Sequence, residues 1–166
     1  HMERVLKYTE PVERCVEKYH RVQTMIFLGR GYNYPTALEG ALKLKELAYI
    51  YATGYPAGEF KHGPIALIQP GTPVICINPR SEIYDKMFSN MQEIKSRGAG
   101  LITVSTEGDK RAEDISDFVL PIPACVEELS PLLAVLPLQL FAYYTAVRLG
   151  CDVDKPRNLA KSVTVE

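Results

Sequence analysis

At 166 residues, with 46% hydrophobic and 23% charged side chains, the chain is long and apolar enough for one soluble domain with a substantial core. A net charge of −1 leaves no basic excess to hold nucleic acid or an anionic membrane surface. The four cysteines, Cys15, Cys76, Cys125 and Cys151, show no CxxC or disulfide-framework spacing, which argues for free thiols in a reducing cytoplasm.

His1-Met2 reads as an expression-vector remnant, and the charged start MERVLKYTEPVER has no apolar core of a signal peptide. Residues 3–21 are expected to form an N-terminal helix and linker, helical from Val5 to Tyr19 with a break near Pro11. Val22–Leu28 reads as a buried strand ending at Gly29-Arg30-Gly31. A helix is expected from Pro35 to Tyr51, since proline suits a first turn. Thr53–Pro64, with three glycines and two prolines, reads as a structured loop; Tyr51-Ala52 is a candidate for a short fifth strand.

Further along, Thr72–Ile77 is a second apolar run, closed by Asn78-Pro79. Cys76 lies inside it, in VICI, where packing is a better reading than catalysis. Ser81 is expected to cap a helix running to Arg97, ended by Gly98 and Gly100. Leu101–Ser105 is a third strand, TEGDKRAED a polar loop, and Asp117–Ile122 a fourth strand. Leu129–Leu149 is a long apolar helix; its apolar run, interrupted by Pro137 and Gln139, is short for a membrane span and suits a buried helix.

Continuous apolar strands alternating with helices predict an α/β fold, a three-layer doubly wound parallel sheet of flavodoxin-like topology. The main domain is expected over 22–150, with a polar tail over 151–166. In such sheets ligands gather at the carboxyl ends of the strands. The loops after Leu28, Ile77, Ser105 and Ile122 are therefore the expected walls of a site.

Two features carry acid–base chemistry. Around the helix at about 100° per residue, Ala37, Ala41, Leu44 and Ala48 form a narrow small-residue stripe, while Glu39, Lys43 and Glu46 fall together opposite it. That charged line reads either as a solvated face with an ordinary i,i+4 pair or as a set of groups able to move protons on a substrate. His62, in EFKHGP, sits in a turn fixed by Gly63-Pro64; it reads either as a surface residue or as an acid/base tuned by Glu59 and Lys61. Lys161, near the C-terminus, reads as an ordinary tail residue or as an amine able to form a Schiff base with a sugar carbonyl. Gly29-Arg30-Gly31 is a weak dinucleotide signal, because Tyr34 occupies the third glycine position, and RGYNYPT is a poor phosphate cradle. No His/Cys/Asp spacing suits a metal, and no cofactor is expected.

Taken together, ALEGALKLKELAYI, GEFKHGP, VLPLQLFAYYTA and DVDKPRNLAKSVTVE resemble the C-terminal end of the glutamine–fructose-6-phosphate aminotransferase (glucosamine-6-phosphate synthase) family, from about Val22 to Glu166. The resemblance implies the second of two sugar-isomerase (SIS) domains, with the first SIS domain and a glutaminase domain as partners outside this sequence. By motif it implies that Glu46 shifts a proton between C1 and C2, that His62 opens the sugar ring from a neighbouring subunit of a homodimer, and that Lys161 forms the Schiff base with fructose 6-phosphate. Lys43 and Glu39 match supporting positions. The fragment alone is expected to be nearly inactive. The alternatives are a stand-alone phosphosugar isomerase and a non-enzymatic phosphosugar-binding module.

Overall fold

The structure is a computed structural model and describes residues 1–159. Five apolar segments supply the strands: β1 (Thr24–Gly29), β2 (Tyr51–Pro56), β3 (Pro73–Asn78), β4 (Gly100–Thr106) and β5 (Phe118–Ile122). They pair in parallel in the order β2-β1-β3-β4-β5, the flavodoxin-like order expected from the sequence. β3 and β4 are buried at every position, as central strands covered on both faces must be.

The helices are α1 (Met2–Lys7), α2 (Glu10–Tyr19), α3 (Asn33–Ala48), α4 (Tyr84–Lys95), α5 (Lys110–Ile115) and α6 (Ser130–Arg148). Alternation of side chains along each strand divides the core in two. Phe27, Ile75, Ile102 and Leu120 face α1, α2, α3 and α6, whereas Leu28, Val74, Cys76 and Leu101 face α4 and the segment around Phe60. α6 is long and apolar enough to cross a membrane by length and composition, yet Phe141, Ala142 and Ala146 are fully buried against the first of these layers. α3 packs close because Gly40 has no side chain: a Cβ there would come within 3.0 Å of the Phe27 ring and 2.8 Å of Leu138.

Several boundaries depart from expectation. The N-terminal helix is split at Tyr8-Thr9, and Pro11 sits in the first turn of α2, where its missing N–H costs nothing. The fifth strand runs from Tyr51 to Pro56, so Thr53–Pro56 is strand rather than loop; as an edge strand beside β1 it tolerates both a glycine and a proline. Ser81 does not cap α4, which begins after Ile83. The polar run TEGDKRAED contains α5, whose N-terminus is capped by Asp109 accepting the Ala112 N–H at 3.1 Å. α3 stops at Ala48 rather than Tyr51, because Tyr49 adopts a left-handed conformation at φ 58° and ψ 24°.

Candidate functional site at the amino end of the sheet

Each crossover helix returns the chain from the carboxyl end of one strand to the amino end of the next. The last turns of α3 and the end of α6 therefore both lie at the amino end of the sheet. The small-residue stripe predicted for α3, Ala37, Ala41, Leu44 and Ala48, is buried, and Gly40 is buried beside it. Burying that stripe leaves the opposite face, with Glu39, Lys43 and Glu46, half-exposed.

The three charges form one linked set. The Lys43 ammonium donates to Glu46 Oε2 at 2.6 Å and lies 3.7 Å from Glu39 Oε1. The hydrogen bond to Glu46 is the largest influence on Lys43 and holds it above the ordinary lysine range; partial burial works against it and Glu39 adds to it. Lys43 is thus a permanent cation at neutral pH, and its contact leaves Glu46 the acceptor capacity of Oε1. Half-exposed pairs of this kind contribute at most about 0.5 kcal/mol each to stability, so fold stability gives little reason to link these three charges on one face.

Glu46 borders an open hollow of about 520 Å³, shared with Leu42, Tyr49, Tyr51, Arg157 and Leu159. The chain reaches it from α6 through Gly150, at φ 73°, and a turn in which Asp152 accepts the Asp154 and Lys155 N–H groups at 3.0 Å. Arg157 then donates its backbone N–H to Tyr49 Oη at 2.8 Å and lays its guanidinium 4.0 Å over the Tyr49 ring. Sequence reasoning missed Tyr49 and Arg157. The signal available was negative: no glycine or asparagine follows α3 to supply its left-handed C-terminal residue.

His62 lies elsewhere. It closes a short 3-10 turn, Phe60–His62, beyond the carboxyl end of β2, and is exposed. β2 lies between it and the end of α3 along the chain. Glu39, Lys43 and Glu46 come together; His62 does not join them within the chain. Lys161 lies outside the described residues.

The expected walls at the carboxyl ends carry several internal bonds, and the loops after Ile77 and Ser105 border an open hollow of about 460 Å³. Arg30 donates to Asn90 at 3.0 Å, Asn33 to Ser130 at 2.9 Å, and Ser105 and Tyr84 both donate to Asp109. Gly29 passes so close to α3 that a Cβ would lie 2.1 Å from the Asn33 carbonyl oxygen, a tight strand-to-helix turn. Cys76 is fully buried, which pushes its thiol far above the usual range and fits packing rather than catalysis. Among the described residues, no three His, Cys, Asp or Glu side chains gather as a metal site.

This fold belongs to a known class. The SIS domain family model matches residues 18–149, and the chain belongs to that family. Its likeness is also more particular. The chain is 53% identical over 165 residues to a glutamine–fructose-6-phosphate aminotransferase (isomerizing) of Aquifex aeolicus, covering 99% of this chain and 28% of the relative. A solved structure of the C-terminal domain of the corresponding Francisella tularensis aminotransferase matches with a TM-score of 0.83 and 40% identity, over 92% of this chain and 43% of that one. The glucosamine-6-phosphate deaminase of Thermotoga maritima matches at a TM-score of 0.74 and 28% identity, over 96% of this chain and 46% of that one. The chain thus spans little more than a quarter of the length of the curated relative.

Proposed function

We propose that the chain is the second SIS half of the isomerase part of a glutamine–fructose-6-phosphate aminotransferase, an enzyme making glucosamine 6-phosphate from fructose 6-phosphate and glutamine-derived ammonia. The observation that carries the reading is Glu46, held by Lys43 and bordering a hollow reached by the segment that leads to Lys161. The likeness to such aminotransferases over 99% of the chain supports it.

The chemistry needs no redox step. On this reading His62 moves the proton of the anomeric hydroxyl to the ring oxygen, opening the sugar to its C2 ketone. The Lys161 amine condenses with that carbonyl and releases water. Ammonia displaces the lysine, leaving an imine at C2; Glu46 takes the C1 proton and returns it to C2, while the C1 hydroxyl proton passes to the imine nitrogen. The result is an aldehyde at C1 and an amine at C2. Lys43 orients Glu46, and Glu39 neutralises Lys43.

Because His62 does not line the hollow that Glu46 borders, the reading draws the histidine from a second copy in a homodimer. The sugar phosphate is held by the preceding SIS copy, and ammonia comes from a glutaminase domain. Cys15, Cys76, Cys125 and Cys151 are all free thiols, which supports placing the enzyme in the cytoplasm.

The test is borohydride reduction of the full-length enzyme with fructose 6-phosphate, followed by peptide mapping. A sugar adduct on Lys161 is expected, and its absence would remove the catalytic role assigned here. The 166 residues alone are expected to bind fructose 6-phosphate weakly. Tight binding in a calorimetric titration would favour a self-contained sugar phosphate isomerase instead.

A further inference from the structure

Gly29-Arg30-Gly31, a weak dinucleotide signal in the sequence, takes no part in the chemistry described above. Its arginine nevertheless holds a particular place. A Cβ on Gly58 would meet three atoms of the Arg30 guanidinium at nearly one distance, Nη2 at 3.3 Å and Cζ and Nη1 at 3.4 Å. A planar group equidistant in this way lies face-on to Gly58. Gly58 is not among the glycines of positive φ, so what it supplies is room rather than an unusual backbone. The edge of the same guanidinium donates from Nη1 to Asn90 Oδ1 of α4 at 3.0 Å.

The turn that rests on this guanidinium carries His62. Glu59, Lys61 and His62 are exposed, so the turn must be held through its other residues. Ala57 donates its N–H to the Gly29 carbonyl at 2.9 Å, and Phe60 is buried in the core layer shared with α4, 5.6 Å from the Tyr55 ring. The remaining bonds are local: Glu59 N–H to the Pro56 carbonyl at 2.9 Å, and His62 N–H to the Glu59 carbonyl at 3.0 Å. Local bonds set the shape of a turn but not where it sits. Anchors at Ala57 and Phe60 alone leave rotation about the line that joins them. A flat group pressed on the backbone at Gly58, and itself tied to a helix, resists that rotation.

We propose that Arg30, braced by Asn90, is a positioning residue that sets the turn from Ala57 to His62 and so aims the His62 imidazole. The inference rests on the proposed function for what His62 does to the sugar; the bracing of the turn does not.

Three substitutions test it. Arg30→Ala removes both the flat face and the hydrogen bond. Arg30→Lys can still donate to Asn90 but has no plane to lay on Gly58. Gly58→Ala leaves Arg30 in place and pushes its guanidinium away by a few tenths of an ångström. In the 166-residue chain, amide hydrogen exchange at His62 is expected to accelerate about fivefold or more in Arg30→Ala, the worth of one hydrogen bond or more, and less in the other two. Exchange at wild-type rates in both Arg30 variants overturns the bracing.

The functional arm uses the full-length enzyme and two substrates, fructose 6-phosphate and its 5-deoxy analogue. The analogue lacks the C5 hydroxyl that closes the ring, so it needs no ring opening. At saturating fructose 6-phosphate, Arg30→Ala should lower kcat by about tenfold to 100-fold, as a misplaced group does, with a smaller loss in Arg30→Lys and Gly58→Ala. With the analogue, all three should stay within about twofold of wild type, less than the worth of one hydrogen bond. A fold weakened in general would slow both substrates alike, and equal losses on both therefore overturn the aiming role, as does full activity of both Arg30 variants on fructose 6-phosphate. His62→Ala serves as the reference. If it turns over fructose 6-phosphate like wild type, the reading of His62 falls and takes the aiming role with it, whereas faster exchange in the Arg30 variants would still uphold the bracing. If His62→Ala is selectively slow on the closed sugar and the Arg30 variants are not, the inference alone fails.

Discussion

The two ends of the sheet are built from the same strands and used differently. At the carboxyl end, where ligands gather in doubly wound folds, polar side chains bind one another: Arg30 holds Asn90, Asn33 holds Ser130, and Asp109 takes both Ser105 and Tyr84. At the amino end, the last turns of α3 leave Glu46 on an open hollow, and a segment from the far end of the chain arrives beside it. Both ends carry an open hollow, of about 460 Å³ and about 520 Å³, and they differ in the side chains that line it. At the carboxyl end the bonding is incomplete, since Asn33 Oδ1 and Asn78 Nδ2 are buried without a partner among the described residues, whereas the charges at the amino end are linked and half-exposed.

Substitutions at the two ends should therefore separate activity from stability. The largest effect is expected for Glu46→Gln in the full-length enzyme: a loss of about 100-fold or more in glucosamine 6-phosphate formation, the usual worth of a general base, with the adduct at Lys161 still forming. An equal loss from Asp109→Asn, at the opposite end, would break the comparison. Next, Gly40→Ala should cost about 1–3 kcal/mol in a denaturant titration, because its methyl group must push α3 away from Phe27 and Leu138. Activity should fall with it, since the same helix carries Glu39, Lys43 and Glu46.

Asp109→Ala should cost about 0.5–2 kcal/mol, through loss of the α5 cap, and leave turnover within about twofold, less than the worth of one hydrogen bond. The smallest effect is a pH dependence. Lys43 is held above its ordinary value in the folded state, so its contribution is fully present below the unfolded lysine value and is lost as pH rises through the raised one. The stability difference between wild type and Lys43→Met should therefore shrink on the alkaline side, above about pH 10, when both are unfolded in urea. A difference that stayed constant there would detach Lys43 from its carboxylate partners.

Much of the fold was legible because buried parallel strands advertise themselves as unbroken apolar runs. VQTMIFL, TPVICI and LITVS all became central strands with shifts of a residue or two at their ends. Edge and surface elements were harder. β2 carries Gly54 and Pro56, which read as loop signals, and it is a strand only because β1 offers it a partner along its length. α5 hid in a polar run because a short helix resting on one buried alanine, Ala112, leaves almost no hydrophobic period. In the site, the face formed by Glu39, Lys43 and Glu46 followed from helical spacing, and the family resemblance raised it above an ordinary solvated face.

The sequence by itself therefore determined the central strands, the charged stripe and the small-residue stripe behind it, since spacing along one helix sets which side chains share a face. It also carried the likeness to a family. Only the tertiary structure decided that His62 does not line the hollow that Glu46 borders, because sixteen residues of sequence separation say nothing about which end of a strand each occupies. Only the fold could bring Arg157 onto Tyr49 across 108 positions and hold an aromatic residue in a left-handed turn. Contacts of that range depend on how helices return over an open twisted sheet, and no local pattern in the chain encodes them.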